Sequence, residues 1–237
     1  YAAYNSGDLD YIDTVPNDEI SSLNGINPEF GILDNLGTYY IGFNVNDPIF
    51  DGKTEEQAAK MREAISLLVD RQFIVENVGQ TGHIAVAESV QQDVALLGIN
   101  LEIKSEDWNV FLQDRKDGNF TIAREGWLAD YNDPVNMLEI FTSDSGNNDM
   151  QLGKGTPVSS SPDWTAYDEL IGQVRTTTDF AARVDLMHQA EDMLMDTWAV
   201  IPIYYYNDVY MQKSNVTGVY VTVYGMKYFM YATKSAQ

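Results

Sequence analysis

Residues 126–134 read Gly126-Trp127-Leu128-Ala129-Asp130-Tyr131-Asn132-Asp133-Pro134 and hold the most suggestive grouping of side chains in the chain. Two aromatic rings flank one carboxylate. An aromatic wall beside a fixed negative charge suits a ligand that carries both a cation and a variable apolar side chain. Gly126 interrupts the strand-like run 120–123, and the residue before Pro134 is pushed toward extended geometry, so the segment is expected to be a loop at a strand end. The alternative is a plain surface turn whose tryptophan covers core.

Other residues with chemical potential are few. Arg115 and Arg124 can each fork two donors onto a carboxylate, or each can be tied up by Asp114, Asp117 or Glu125 nearby. Asp130 can pair with a ligand ammonium or cap backbone N–H groups of its own turn. Asp130 with Asp133 could be drawn as a glycosidase dyad, yet acids are so abundant that such pairs arise by chance. Asp8, Asp10 and Asp13 miss the EF-hand calcium spacing. His83 and His188 fall on separate helices without a second ligand at metal spacing, and no serine-elbow or phosphate-loop pattern occurs. Neither catalysis nor a cofactor or metal is expected.

Bulk properties narrow the field further. The 237 residues carry 36 acids against 14 bases, a net charge of −22, which repels nucleic acid and anionic membranes alike. Cysteine is absent, which removes disulfides, thiolate nucleophiles and cysteine metal sites. Hydrophobic content of 44% fits a globular chain, and no apolar run is long enough to span a bilayer.

The elements that must position these residues alternate between strand and helix. Strands are expected at 7–13, 39–44, 99–103, 120–123, 200–206, 219–224 and 228–231. Helices are expected at 54–70, with a Thr54/Gln57 capping box and Met61, Ile65 and Leu68 inward, and at 83–97, with Ile84, Ala87, Val90, Val94 and Leu97 on one face and Gly98 as stop. Further helices fit 107–116, a segment through Val174 opened by Ser161 and Pro162, and 179–195 with Phe180, Val184, Met187 and Leu194 inward. A Gly/Ser/Pro-rich surface stretch covers 153–161. His188 is expected to be a partly exposed helix residue. The pattern is mixed α/β.

The wording of several segments resembles a known family. Gly126 to Pro134, preceded by Ala123-Arg124-Glu125 and followed by the turn at 143–148, is similar to the ligand loop of oligopeptide-binding proteins, the solute-binding subunits of peptide ABC importers (extracellular solute-binding protein family 5). The likeness continues in Thr38-Tyr39-Tyr40-Ile41-Gly42-Phe43-Asn44, in 61–71 and in Ile201-Pro202-Ile203-Tyr204-Tyr205-Tyr206. It implies a mixed-sheet lobe of a type II periplasmic-binding-protein-like fold. It also implies that Asp130 pairs with the α-amino group of a bound peptide, and that Arg115 and Arg124 match positions that neutralise its carboxylate at particular lengths. Trp127, Tyr131 and Tyr206 would line the pocket, and backbone groups of 127–130, including Leu128 and Ala129, would extend the ligand as an added strand. Leu128 stands where relatives differ. Tyr204 and Tyr205 are expected in the core, with Tyr205 on the opposite strand face from Tyr206.

The implied partners are an oligopeptide and, through a complete two-lobed protein, ABC permease subunits, with the protein a monomer that binds no nucleic acid. The implied location is extracytoplasmic, with a lipid anchor on the full-length protein. Relatives that carry dipeptides, sugars, nickel or haem leave another solute open, and a carboxylate-dependent hydrolase or a scaffold fragment are the readings outside that class. Two departures from the family matter. A segment of several tens of residues has no counterpart at the 80/81 junction, and nothing matches the N-terminal lobe. Residues 1–237 are thus expected to form a C-terminal peptide-binding lobe, with a first part at 1–80, a ligand-loop part at 81–206 and terminal strands at 207–237.

Overall fold

The computed structural model describes residues 1–78, 82–155 and 158–236, so the 80/81 junction lies outside the described residues. The helices are α1 (Ala2–Asn5), α2 (Asn17–Leu23), α3 (Glu55–Leu68), α4 (Arg71–Phe73), α5 (His83–Ala95), α6 (Trp108–Asp117), α7 (Thr165–Thr176) and α8 (Phe180–Asp196). The strands are β1 (Tyr11–Ile12), β2 (Phe30–Phe43), β3 (Ile122–Leu128), β4 (Val200–Gln212), β5 (Val216–Thr217), β6 (Tyr220–Val221), β7 (Lys227–Tyr228) and β8 (Thr233–Lys234). The main sheet runs in the order β1-β4-β2-β3, which leaves β3 on an edge. Its register follows from two hydrogen bonds: Asn44 N–H donates to Thr121 C=O at 3.1 Å and Ala129 N–H to Leu36 C=O at 2.8 Å. One index rises as the other falls, so β2 and β3 are antiparallel.

The chain divides into two compact units, and β2, β3 and β4 each pass from one into the other. The smaller comprises residues 1–38, 128–130 and 205–237. Its core gathers Tyr4, Ile12, Val15, Leu23 and Met211, and β1 pairs antiparallel with β4 through Tyr11 opposite Gln212. The expected strands at 219–224 and 228–231 are reduced to the two-residue antiparallel pair β6 and β7, joined by a turn at Gly225 with φ +73°. The expected strand at 7–13 shrinks likewise to Tyr11–Ile12.

The larger unit comprises 39–127 and 131–204. In it α7 and α8 pack together over a core that includes Trp164, Tyr167, Ile171, Met187 and Leu194. Helix α3 begins as expected, with Thr54 accepting from Gln57 N–H at 3.3 Å and the Gln57 side chain accepting from Thr54 N–H at 3.0 Å. Its buried face differs. Ala58, Arg62 and Ser66 are inward, while Met61, Ile65 and Leu68 are half-buried. Arg62 sets this rotation: its Nε–H donates to Thr197 C=O at 2.8 Å and its guanidinium lies 5.1 Å from the Phe50 ring. Arg71 makes a parallel tie, Nε–H to Pro202 C=O at 2.7 Å. Two arginines of the 61–71 segment thereby hold the backbone leading into β4, each through a charge-assisted bond of about 1.5–3 kcal/mol.

Other expectations needed correction. Residues 99–103 alternate in exposure but form no strand, because no neighbour completes a ladder among the described residues. Helix α5 buries Val86, Ser89, Val90 and Val94 and leaves Ile84 and Leu97 exposed. Helix α7 starts at Thr165 rather than beside Pro162, because Trp164 is anchored in the core, stacked on Tyr167 at 4.4 Å with its Nε1–H on Phe141 C=O at 2.8 Å. Phe180 follows the cap of α8 and is exposed instead of inward.

Candidate ligand-binding site

Strand β3 carries the candidate residues, and it corrects the first expectation about them. Gly126 does not end the strand; β3 continues through it to Leu128. With period-2 alternation, Ala123 and Glu125 are buried and Arg124 and Gly126 less so. A glutamate therefore occupies an inward slot of the strand.

In the larger unit, Arg115 on α6 answers that glutamate. Its Nη1 donates to Glu125 and its Nε lies 3.5 Å from the Asp149 carboxylate. The guanidinium also sits 4.9 Å from the Phe111 ring. Burial pushes the Glu125 carboxyl up to about 8, against the pull of Arg115 and with a further push from Asp149. Burial raises Asp149 as well. The internal ion pair, one of the two readings open from sequence, is thus the state of Arg115, and its partners are Glu125 and Asp149 rather than Asp117 or Asp114.

Arg124 has different company. Its Nη2 lies 3.1 Å from His83 Nε2, and its guanidinium is 5.4 Å from the Tyr39 ring and 5.8 Å from the Trp108 ring. Burial, then the Arg124 charge, lowers the His83 pKa, so the ring is favoured neutral and its Nε2 can accept from Arg124. Tyr39 in turn stacks on His83 at 5.6 Å and on Tyr204 at 4.6 Å. Among the described residues no carboxylate lies within ion-pair distance of Arg124, and its buried Nε has no hydrogen-bond partner.

The rest of the loop is pinned. Trp127 packs on the core and its Nε1–H donates to Asn136 Oδ1 at 3.0 Å. Tyr131, exposed at its ring, donates its hydroxyl to Glu139, which Arg175 holds at 2.9 Å. Asp133 caps Val135 N–H at 3.0 Å and pairs with Arg183 at 2.9 Å. Sequence reasoning assigns no ligand-site role to Asn136, Glu139 or His83; the i, i+3 step from Asn136 to Glu139 in a turn is the available signal for the first two.

In the smaller unit, Leu128 is half-exposed, Ala129 is buried and Asp130 is exposed. The Ala129 bond to Leu36 faces Ala129's peptide groups toward β2. Alternation then turns those of Leu128 and Gly126 to the open edge of the sheet. Tyr206 on β4 is half-buried. Of its neighbours in sequence, Tyr204 in the larger unit is core as expected, whereas Tyr205 is 78% exposed, because the opposite strand face there is uncovered.

Comparison with known proteins joins these features to a family. Residues 77–149 match the family model described as "Bacterial extracellular solute-binding proteins, family 5 Middle". The chain is 32% identical to the periplasmic oligopeptide-binding protein OppA of Salmonella typhimurium over 172 residues, 70% of this chain and 29% of that protein. The chain belongs to this solute-binding family. Over 92% of its length it is also 26% identical to the dipeptide-binding protein DppE of Bacillus subtilis, 49% of which is covered. The chain therefore spans about half the length of that relative, or less in the case of OppA. The DppE alignment runs over 285 residues, more than the 237 here, so DppE has residues with no counterpart in this chain. Among solved structures, OppA of Listeria monocytogenes bound to peptide superposes with a TM-score of 0.74 at 19% identity, covering 100% of this chain and 56% of that one. The fold is that of type II periplasmic binding proteins, over part of their length.

Proposed function

We propose that this chain is the C-terminal peptide-binding lobe of an extracytoplasmic solute-binding protein that captures oligopeptides for an ABC importer, without catalysis. The observation that carries the reading is the edge position of β3, whose open side presents the peptide groups of Gly126 and Leu128 just before Asp130. An extended peptide added there gains affinity from main-chain bonds whatever its sequence. Asp130 supplies the carboxylate for its α-amino group, Trp127, Tyr131 and Tyr206 supply apolar and aromatic surface, and Arg124 receives its carboxylate. Ala129 keeps the strand in register against β2. The segment absent at the 80/81 junction and the N-terminal lobe belong to the family pattern, and a two-lobed protein would close over the peptide before docking on the permease. Lipid anchoring and a monomeric state complete the reading.

The DppE likeness favours a dipeptide as the second reading. Calorimetry on a two-lobed version decides between them and tests the first. Oligopeptides with free amines are expected to bind, and N-acetylation is expected to weaken them by at least thirtyfold, about 2 kcal/mol. Equal affinity for acetylated and free peptides would remove Asp130 from its role. Binding of dipeptides alone would move the assignment to the second reading. The same mixtures, monitored for cleavage, should show no peptide turnover.

A further inference from the structure

The two carboxylate oxygens of Glu139 serve different neighbours. Oε1 accepts from the Tyr131 hydroxyl and from Asn136 Nδ2 at 3.4 Å, while Oε2 accepts from Arg175 Nη2 at 2.9 Å. Asn136, only 2% exposed, accepts in turn from the Trp127 indole N–H at 3.0 Å. Trp127 and Tyr131, both in the larger unit, are thereby tied to one carboxylate, Tyr131 directly and Trp127 through Asn136. Burial pushes the Glu139 carboxyl up, but the bonds from Tyr131, Arg175 and Asn136 outweigh it and hold the group below its ordinary value. It is therefore ionised at neutral pH and acts as an acceptor only. The backbone of the same turn has a separate anchor in Asp133, which caps Val135 N–H and pairs with Arg183. What remains for Glu139 is the side chains.

We infer that Glu139, clamped by Arg175, is a positioning residue that fixes Trp127 and Tyr131 in one arrangement before a ligand arrives. This rests on the peptide-binding reading above. Tyr131 is 41% exposed, and a ring at the surface without its hydroxyl bond samples several rotamers. A ligand packing against such a ring must immobilise it, which weakens binding. Holding the hydroxyl removes that cost and leaves the ring face open. Trp127 already packs on the core, so its bond to Asn136 sets the angle of the indole rather than its burial. Because both ties end on one oxygen, loss of Glu139 loosens both rings together. Glu139 acts through them and need not touch the peptide.

The first arm follows solvent exchange of indole N–H protons by NMR on this chain at neutral pH. Trp164 is the internal standard, because its indole donates to Phe141 C=O in the same core. Glu139→Ala is expected to speed exchange at Trp127 about tenfold or more and to leave Trp164 within about twofold. Unchanged exchange at Trp127 overturns the inference. Equal acceleration at both tryptophans is general loosening of the core and overturns it too. The second arm measures free-ended alanine-leucine peptides by calorimetry in a two-lobed version. Glu139→Ala is expected to weaken the best of them about fivefold, and an affinity equal to wild type overturns the inference. If the alanine variant does not fold, Glu139→Leu, which fills the space without an acceptor, replaces it under the same criteria. Wild-type protein that binds no peptide overturns the peptide reading and this inference with it, whereas a contrary exchange result overturns the inference alone.

Discussion

Glu125 and Asp130 are five residues apart on one stretch of chain, and their surroundings give them opposite work. Glu125 points into the interior of its unit, meets Arg115, and is held with its carboxyl raised by burial. Asp130 is exposed at the end of the same strand. A carboxylate in the interior is committed to its internal cation, since releasing it leaves an unpaired buried charge. A carboxylate at the surface stays within reach of a ligand ammonium. The strand's alternation, rather than the identity of the acid, decides which of the two is buried and which is exposed.

The contrast can be broken most severely at the interior end. Arg115→Met leaves Glu125 and Asp149 buried without their cation and, above pH 8 where Glu125 is ionised, should lower stability by about 3–5 kcal/mol, read by urea unfolding of the chain. Adding Glu125→Leu should recover most of that loss, and additive losses in the double variant would show that the two side chains are not coupled. At the surface end the expected pattern is reversed. Asp130→Asn should change unfolding by under about 1 kcal/mol while costing about 2–5 kcal/mol of peptide affinity in a two-lobed version.

A smaller effect separates the two carboxylates by pH. Because the Glu125 carboxyl is raised to about 8 in the folded chain, the folded state holds a proton that the unfolded state has released above its ordinary carboxylate range. Stability from this group is therefore present at low pH and falls as pH rises toward about 8. Glu125→Gln should flatten the melting temperature between pH 5 and 8 relative to wild type; parallel profiles would show that Glu125 ionises normally. Smallest is Trp127→Phe, which removes one donor from buried Asn136 and should cost about 1–2 kcal/mol, measured by the same unfolding series.

Local signals explain what is legible in the sequence. The Thr54/Gln57 capping box and Gly98 mark helix ends through chemistry confined to a few residues; α3 begins at the first, and α5 ends shortly before the second. Features that depend on distant partners leave no such mark. Arg62 turns α3 by bonding a carbonyl 135 residues away, a contact that hydrophobic spacing cannot announce. Gly126 looks like a break in isolation, but β2 supplies the ladder that carries the strand across it. The same ambiguity hides the inward slot of Glu125, since alternation from Ala123 is visible only once the strand is extended. For the site, the loop residues stand out by their types, while the choice between the two arginines depends on the carboxylates around them.

The edge position of β3 has a consequence beyond the proposed peptide capture. Backbone groups that would pair with any extended chain cannot tell the proposed peptide from the edge of another copy or a segment of a half-folded neighbour. The net charge of −22 counters this by keeping copies apart, and salt weakens that repulsion over a Debye length of about 8 Å at physiological strength. Net charge and the exposed strand edge are therefore coupled in this molecule: the repulsion between acidic copies opposes their pairing along it.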